Sequence, residues 1–374
     1  MISCKFFYDL LITQGVSFFT GVPDSVLKDF CAYVTKHTAP ENHIIAANEG
    51  GAVALACGHY LATGQIAVVY MQNSGEGNAT NPLVSLADAD AYSIPLLMLI
   101  GWRGEPGKKD EPQHTKQGKT TLSLLDTLGI PYKILPDTNK KTQQCVDESF
   151  SVMRQKEIPA ALIVRKETFE HYELQQDQNL SNYLLREEAI KMVIDSLGPS
   201  DIVVSTTGNI SREVYEYRDM VGVHNNDFLT IGSMGHCSQI ALGIALAKPQ
   251  RQVLCLDGDG AVIMHMGSLA ITGAQNVKNY KHIIFNNGAH DSVGGQPTAG
   301  FSISLTKVAK SCGYKMANLA VTRNEINAGM KLLKAVEGPA LLEIRVRKGA
   351  RADLGRPKIS PKENKKSFME TLSK

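Results

Sequence analysis

Short apolar runs recur along this chain, and helical patterns fill the intervals between them. In the first half "VSFFTG", "HIIAAN", "IAVVYM", "PLLMLIG" and "ALIVRK" carry few polar interruptions. Runs of that length read as strands buried on both faces, as in a parallel sheet. Between them, stretches such as "SVLKDFCAYVTKH" space apolar residues as a helix does. The second half repeats the scheme with "DIVVST", "DFLTIG", "QVLCLDG", "KHIIFNN" and "PALLEIRVRK". The last strands of the halves echo one another, "EIPAALIVRK" (157–166) and "EGPALLEIRVRK" (337–348). Between the halves lies "ETFEHYELQQDQNLSN", polar and aperiodic. The pattern predicts an α/β chain with two open parallel sheets: a domain over 1–169, a linker over 170–184 and a second domain over 185–350. A basic, proline-containing tail over 351–374 is expected to run along the surface.

Composition narrows the picture by exclusion. At 374 residues there is enough chain for two cores. A formal charge of +2, with no basic stripe carrying interleaved aromatics, argues against nucleic acid. The start, "MISCKFFYDLLITQG", reads as an amphipathic helix and not as a signal peptide. No apolar run approaches membrane-spanning length, so no membrane role is expected. Seven cysteines with no CxxC pair suggest a reducing compartment, the cytoplasm, with thiols as small buried hydrophobes and no zinc site.

The chemistry begins at "GDGAVIMHMGSLAITGAQNVKNYKHIIFNN", residues 258–287. Here "RQVLCLD" reads as a strand, "AVIMHMGSLAITGAQ" as a helix and "KHIIF" as the next strand. A right-handed crossover then brings both strand ends to one carboxyl edge, where open α/β sheets bind ligands. Asp259 and Asn287 become neighbours there although 28 positions apart. A carboxylate and an amide oxygen are hard ligands that suit Mg²⁺ and, through it, bound phosphates. Gly258 and Gly260 let the backbone approach a diphosphate closely. Asp-Gly alone is also an ordinary turn with solvent-facing caps; the paired asparagines at this spacing favour a cofactor site. A nicotinamide site does not fit, because no G-x-G-x-x-G opens a helix here.

GDG followed by NN resembles the signature of the thiamine diphosphate (ThDP) enzymes. The resemblance implies Mg²⁺ ligation by Asp259, Asn287 and the Ala289 carbonyl, with Gly258, Gly260 and Ala261 beside the diphosphate. It implies a glutamate that bonds the aminopyrimidine; in "HIIAANEGGAVALACGHYLATG" that is Glu49, which could otherwise be a helix N-terminal acid. "TIGSMGHCSQIALGIALA" is similar to the region that wedges the two cofactor rings together, so Met234 would support them and the Gly232 carbonyl would meet the amino group. Met234 could equally be core filler. "VSTTGNIS" matches the first diphosphate loop, implicating Thr207, Gly208 and Asn209. The family binds its cofactor between two chains, which implies a homodimer or higher homo-oligomer. Small residues Gly50, Gly51, Ala52, Ala54 and Ala56 would let helices approach closely there.

The resemblance implies one domain for the pyrimidine and one for the diphosphate, with no room for the middle domain of the larger decarboxylases. Within the family, "FTGVPDS", "QNSGEGNATNP", "EPQHTKQGKT", "NNGAHDSVGGQPT" and "GRPKISP" resemble the phosphonopyruvate decarboxylase branch, with the sulfopyruvate enzymes as near relatives. A 2-oxo acid substrate and CO₂ release follow from that, in phosphonate biosynthesis towards 2-aminoethylphosphonate. A carboligase of the acetolactate synthase type, a component of an oxidative complex and a non-catalytic binder are the other readings. Asp24 and His114 fall where related enzymes handle protons, though Asp24 could be a helix N-cap and His114 a surface-loop histidine. Ser25, Arg103 and Lys116 are candidates for the substrate's anionic group. Arg103 and Lys116 come from "GWRGEPGKKDEPQHTKQGK", which also supplies Lys108, Lys109 and Lys119 and would otherwise be a solvated face.

Overall fold

The apolar runs become the centres of two parallel sheets. The computed structural model describes residues 1–174, 183–223 and 227–373. They fall into two compact units, Met1–Gln175 and Gln176–Lys374. Of the expected linker, residues 175–182 lie outside the described residues.

The first unit contains β1 (Phe19–Gly21), β2 (His43–Ile45), β3 (Val68–Gln72), β4 (Leu97–Gly101), β5 (Tyr132–Ile134) and β6 (Ala160–Val164). Their order is β2-β1-β3-β4-β6-β5, all pairs parallel. The central strands lack polar alternation because both faces are covered. Val68, Tyr70, Leu97, Leu99 and Leu162 fill one core, while Val69, Met71, Met98, Ile100 and Ile163 fill the other.

The second unit contains β7 (Ile202–Ser205), β8 (Asp227–Leu229), β9 (Val253–Gly258), β10 (Tyr280–Asn286), β11 (Ala289–His290), β12 (Gln296–Pro297), β13 (Met316–Ala320) and β14 (Ala340–Arg345). The main sheet runs β13-β14-β10-β9-β7-β8, again parallel, while β11 and β12 form a small antiparallel ladder. Leu254, Leu256, Ile283 and Phe285 face one core, and Val253, Cys255, Tyr280 and Ile284 the other.

Strand order reverses between β1 and β3 in the first sheet and between β7 and β9 in the second. Such reversal points open a crevice at the carboxyl ends of the strands. In the second sheet the loops there are 206–208 and 258–261, which carry the expected diphosphate residues.

Three departures from the sequence reading have clear causes. β5 and β13 were not expected; both are edge strands, where "YKI" and "MANLA" need no continuous apolar run. The expected single helix 261–275 is two, Asp259–Met264 and Gly267–Gln275. It breaks at His265, whose ring packs on His236 at 4.5 Å and fills the space beside Gly235, where a Cβ would come within 2.5 Å of it. The tail is not merely a surface strand. It forms the helix Pro361–Ser373, with Phe368 buried against Phe228 at 5.5 Å. Among the described residues no helix is long and apolar enough to cross a membrane.

Candidate active site

In the second unit the β9–β10 crossover does bring Asp259 and Asn287 together. The Asn287 backbone N–H points at Asp259 Oδ1 from 3.4 Å, and the Thr298 hydroxyl donates to Asp259 Oδ2. Asp259 is 2% exposed and its partners are neutral, so burial pushes its carboxyl up to about 6. The space over this carboxylate depends on Gly300, where a Cβ would lie 2.5 Å from Asp259 Oδ2. Asn286, the first of the pair, is architectural. Its amide donates to Gly300 O at 2.8 Å and to Glu343 Oε1 at 2.9 Å, and its Oδ1 accepts from Gly288 N.

Asn287 is oriented from behind. Its Nδ2 donates to Asp291 Oδ2 at 2.7 Å, while Oδ1 accepts the Ala289 N–H at 3.0 Å. Asp291 is in turn held by Arg186 at 3.0 Å, and Arg186 is clamped in two bonds of 2.9 Å by Glu213. This buried row was not visible in the sequence, because its members sit 27 to 105 positions apart. Asp259, Asn287 and Ala289 offer only oxygen, the donor set of a hard divalent ion, around a buried carboxylate with no cationic neighbour among these contacts. The residues present therefore fit Mg²⁺.

The other diphosphate candidates sit at the same sheet edge. Gly208 has φ +92°, a conformation that favours glycine, immediately before the helix Asn209–Val221. Thr207 and Asn209 flank it, half-buried. Gly258 ends β9, and a Cβ on Gly260 would meet His290 at 3.0 Å and Met234 Cε at 3.4 Å. Met234 thus reaches the GDG loop from the 232–236 turn, half-buried and not core filler of the fully enclosed kind. Gly232 lies in the same turn, and Ala261 is buried at 3%.

In the first unit Glu49 opens the helix Glu49–Thr63, capped by Asn48, whose side chain accepts from Gly51 N at 2.9 Å. The Glu49 carboxyl is 5% exposed and takes a 2.8 Å bond from Asn78 Nδ2 on its Oε2. Its Oε1 lies over Gly75, where a Cβ would come within 2.3 Å. Neither Gly75 nor Asn78 was singled out, although both belong to "QNSGEGNATNP". Of the small residues expected to let helices approach closely, Ala52 and Ala56 point into this unit's own core, whereas Gly51 and Ala54 are exposed.

Asp24, Ser25, Arg103 and His114 come together with Asp110, which the sequence reading had missed. Asp24 is fully buried, its Oδ2 accepting from Val26 N at 2.8 Å and Leu27 N at 3.3 Å, so it does cap this turn. Burial pushes it to about 6. The Gly101 position is open only as glycine, since a Cβ would lie 2.0 Å from Asp24 Oδ2. Arg103 donates twice to Asp110 and once, at 2.7 Å, to Ser25 Oγ. Nη1 and Nη2 each carry a second N–H beyond those bonds. His114 is buried and not a surface histidine; burial, then the nearby Arg103, hold its pKa below the usual value. Its Nδ1 is 3.8 Å from Asp110 Oδ1. Lys116 is exposed on the helix Thr115–Thr127.

Glu76, next to Gly75, is a further buried acid. It is 7% exposed, its Oε1 has no hydrogen-bond partner, and burial raises it to about 8. Because the folded value exceeds the ordinary 4.5, the stability of the protonated state is fully present below about 4.5 and is lost as pH rises through about 8. Glu76→Gln is expected to flatten that decline, with a gain on the order of 2 kcal/mol at pH 8 because the amide keeps part of the burial cost. Melting temperature against pH tests this; parallel profiles for parent and variant would refute it.

Two family profiles match the chain, one in each half. The profile described as "Thiamine pyrophosphate enzyme, N-terminal TPP binding domain" matches residues 4–124, and that described as "Thiamine pyrophosphate enzyme, C-terminal TPP binding domain" matches 206–344. Phosphonopyruvate decarboxylase of Streptomyces hygroscopicus is 33% identical, covering 99% of this chain and 94% of that one. The enzyme of the same name from Streptomyces viridochromogenes is 33% identical, covering 95% and 91%. Sulfopyruvate decarboxylase of Methanosarcina acetivorans is 27% identical, covering 97% and 96%.

Proposed function

We propose, on the premise that this chain belongs to the thiamine pyrophosphate enzyme family and is a decarboxylase of it, that its substrate is 3-phosphonopyruvate. The products are phosphonoacetaldehyde and CO₂, and the reaction takes place in the cytoplasm. The observation that carries this reading is the Arg103 guanidinium, held by Asp110 and Ser25 beside Asp24 and His114 at the carboxyl edge of the first sheet. A fixed fork with spare N–H groups suits a dianionic phosphonate, and a bare methyl group has no use for it. Full-length similarity to two phosphonopyruvate decarboxylases supports the same choice.

Thiamine diphosphate, when bound, supplies the carbon nucleophile for the 2-oxo group and the electron sink for decarboxylation. Asp259, Asn287 and the Ala289 carbonyl would hold its Mg²⁺, with Thr207, Gly208, Asn209, Gly258, Gly260 and Ala261 lining the diphosphate. Glu49 would place its carboxyl proton at N1′ of the aminopyrimidine, while the Gly232 carbonyl and Met234 set the position of the rings. Asp24 Oδ2 is occupied by backbone N–H groups and Oδ1 faces the Ser25 hydroxyl at 3.5 Å, so Oδ1 would be the atom that holds or passes a proton. With a pKa near 6, it exchanges close to neutral pH. His114, held neutral by burial and Arg103, would act as its partner in protonating the product carbon. A second copy of the chain would complete each site, making the enzyme a homodimer or larger.

The second reading, sulfopyruvate, rests on the Methanosarcina relative. The test is CO₂ release from a panel of 2-oxo acids with saturating cofactor. Phosphonopyruvate is expected to exceed pyruvate in kcat/KM by a factor on the order of 10⁴, because pyruvate leaves the anion site unpaired. Arg103→Ala is expected to erode that ratio more than it lowers pyruvate turnover. Equal use of pyruvate would overturn the assignment, a preference for sulfopyruvate would move it to the sulfonate, and acetolactate formation from pyruvate would mark a carboligase.

A further inference from the structure

One face of the second sheet carries four metal-ligating side chains inside an otherwise apolar layer. Cys255 and Asp257 are two apart on β9 and so share a face. His282 stands on β10 in register with Cys255. Cys237 opens the helix Cys237–Ala247, which packs over β9. None of the four is more than 1% exposed. The ligand atoms of Cys237, Cys255 and Asp257 lie within 4.8 Å of one another. The two sulfurs are 3.4 Å apart, and His282 Nε2 is 3.4 Å from Asp257 Oδ2.

Such a group is costly to bury as it stands. Asp257 Oδ1 accepts from Gly258 N at 3.0 Å, while Asp257 Oδ2 and His282 Nε2 face only each other, at 3.4 Å, with no well-formed hydrogen bond to either. We propose that Cys237, Cys255, Asp257 and His282 bind a structural zinc ion, separate from the Mg²⁺ of the diphosphate site.

The dimensions suit a tetrahedral ion. With Zn–S near 2.3 Å and Zn–N or Zn–O near 2.0 Å, tetrahedral edges are about 3.8 Å between sulfurs and about 3.3 Å between nitrogen and oxygen. The two measured edges are both close to these. Two sulfurs, a nitrogen and an oxygen select zinc over magnesium, which takes oxygen alone. Two thiolates, a carboxylate and a neutral imidazole around Zn²⁺ leave one net negative charge, as a Cys₃His site does. Without an ion, burial pushes the Cys237 thiol well up and its Sγ donates to Val204 O at 3.3 Å; ligation would replace that bond with one to the metal. His282 Nδ1 faces the Tyr314 hydroxyl at 3.5 Å, so a proton there leaves Nε2 free to ligate. The ion would tie the turn carrying Gly232 and Met234, just before Cys237, to β9 two residues ahead of Asp259.

The test uses the enzyme made without a polyhistidine tag and loaded with ThDP and Mg²⁺. Elemental analysis is expected to find one zinc per chain, retained through EDTA dialysis that removes Mg²⁺ and released by a mercurial thiol reagent. X-ray absorption at the zinc edge is expected to show sulfur together with lighter ligands. Cys255→Ser is expected to lose the zinc and melt at lower temperature; should it fail to fold, the parent's metal content and absorption spectrum decide alone. Absence of stoichiometric zinc after growth in zinc-supplemented medium would overturn the proposal. So would zinc with no sulfur ligand, or a Cys237–Cys255 disulfide in the native enzyme.

Discussion

A Glu49→Gln enzyme is expected to fold, bind thiamine diphosphate and lose decarboxylation by about 10³-fold or more. Glutamine matches glutamate in shape, so it fits the slot over Gly75 and can still accept the 2.8 Å bond from Asn78. What it cannot do is hold a transferable proton. The capped helix start does not depend on the carboxylate, because Asn48 satisfies the first turn. Cofactor titration and CO₂ release, measured on the same preparation, separate binding from chemistry. Turnover within tenfold of the parent at saturating cofactor would reduce Glu49 to an acid at a helix N-terminus.

Asp259→Ala is expected to act in opposite directions on the bare and the loaded enzyme. Burial holds the Asp259 carboxyl at about 6 against the ordinary 3.8. The stability of its protonated form is fully present below 3.8 and lost as pH climbs through about 6. Above that, the cofactor-free fold carries an uncompensated charge worth on the order of 3 kcal/mol, which alanine removes. The variant without cofactor is therefore expected to melt higher than the parent at pH 7.5 and no higher at pH 3.5. Addition of ThDP and Mg²⁺ is expected to raise the parent's melting temperature and leave the variant's nearly unchanged, with cofactor affinity down by at least about 10²-fold. A variant that still shows the parent's Mg²⁺-dependent shift would remove Asp259 from the metal site.

The legibility of this chain followed the range over which its signals act. Inner strands such as β3, β4, β9 and β10 were readable because burial on both faces forces an unbroken apolar run. Edge strands β5 and β13 were not, since both are largely half-buried and carry no unbroken apolar run. Asp259 and Asn287 could be paired in advance because a βαβ crossover has one hand and returns to one sheet edge. Thr298, Gly300 and Asp291 could not, because a loop after β10 folds back over the carboxylate and no local pattern announces it. Asp110 was hidden for a related reason: its bonds to Arg103 depend on the shape of an irregular loop. The cluster around Cys255 and His282 was hidden by register. Its cysteines are 18 positions apart and its histidine stands on another strand, so no spacing rule could join them.

The C-terminal helix Pro361–Ser373 has a consequence for how this protein behaves in a crowded solution. β8 is the last strand of its sheet, and an open strand edge is a template on which another chain can add. Asn364 occupies that edge much as a strand residue would, its amide accepting from Leu229 N at 3.2 Å and donating to Asp227 O at 3.0 Å. Phe368 covers the apolar side of the same strand. The segment that reads as a basic tail therefore leaves β8 with fewer open edge groups for another chain to pair with. Fusions or truncations that disturb it would show their damage as insolubility before they touched the chemistry.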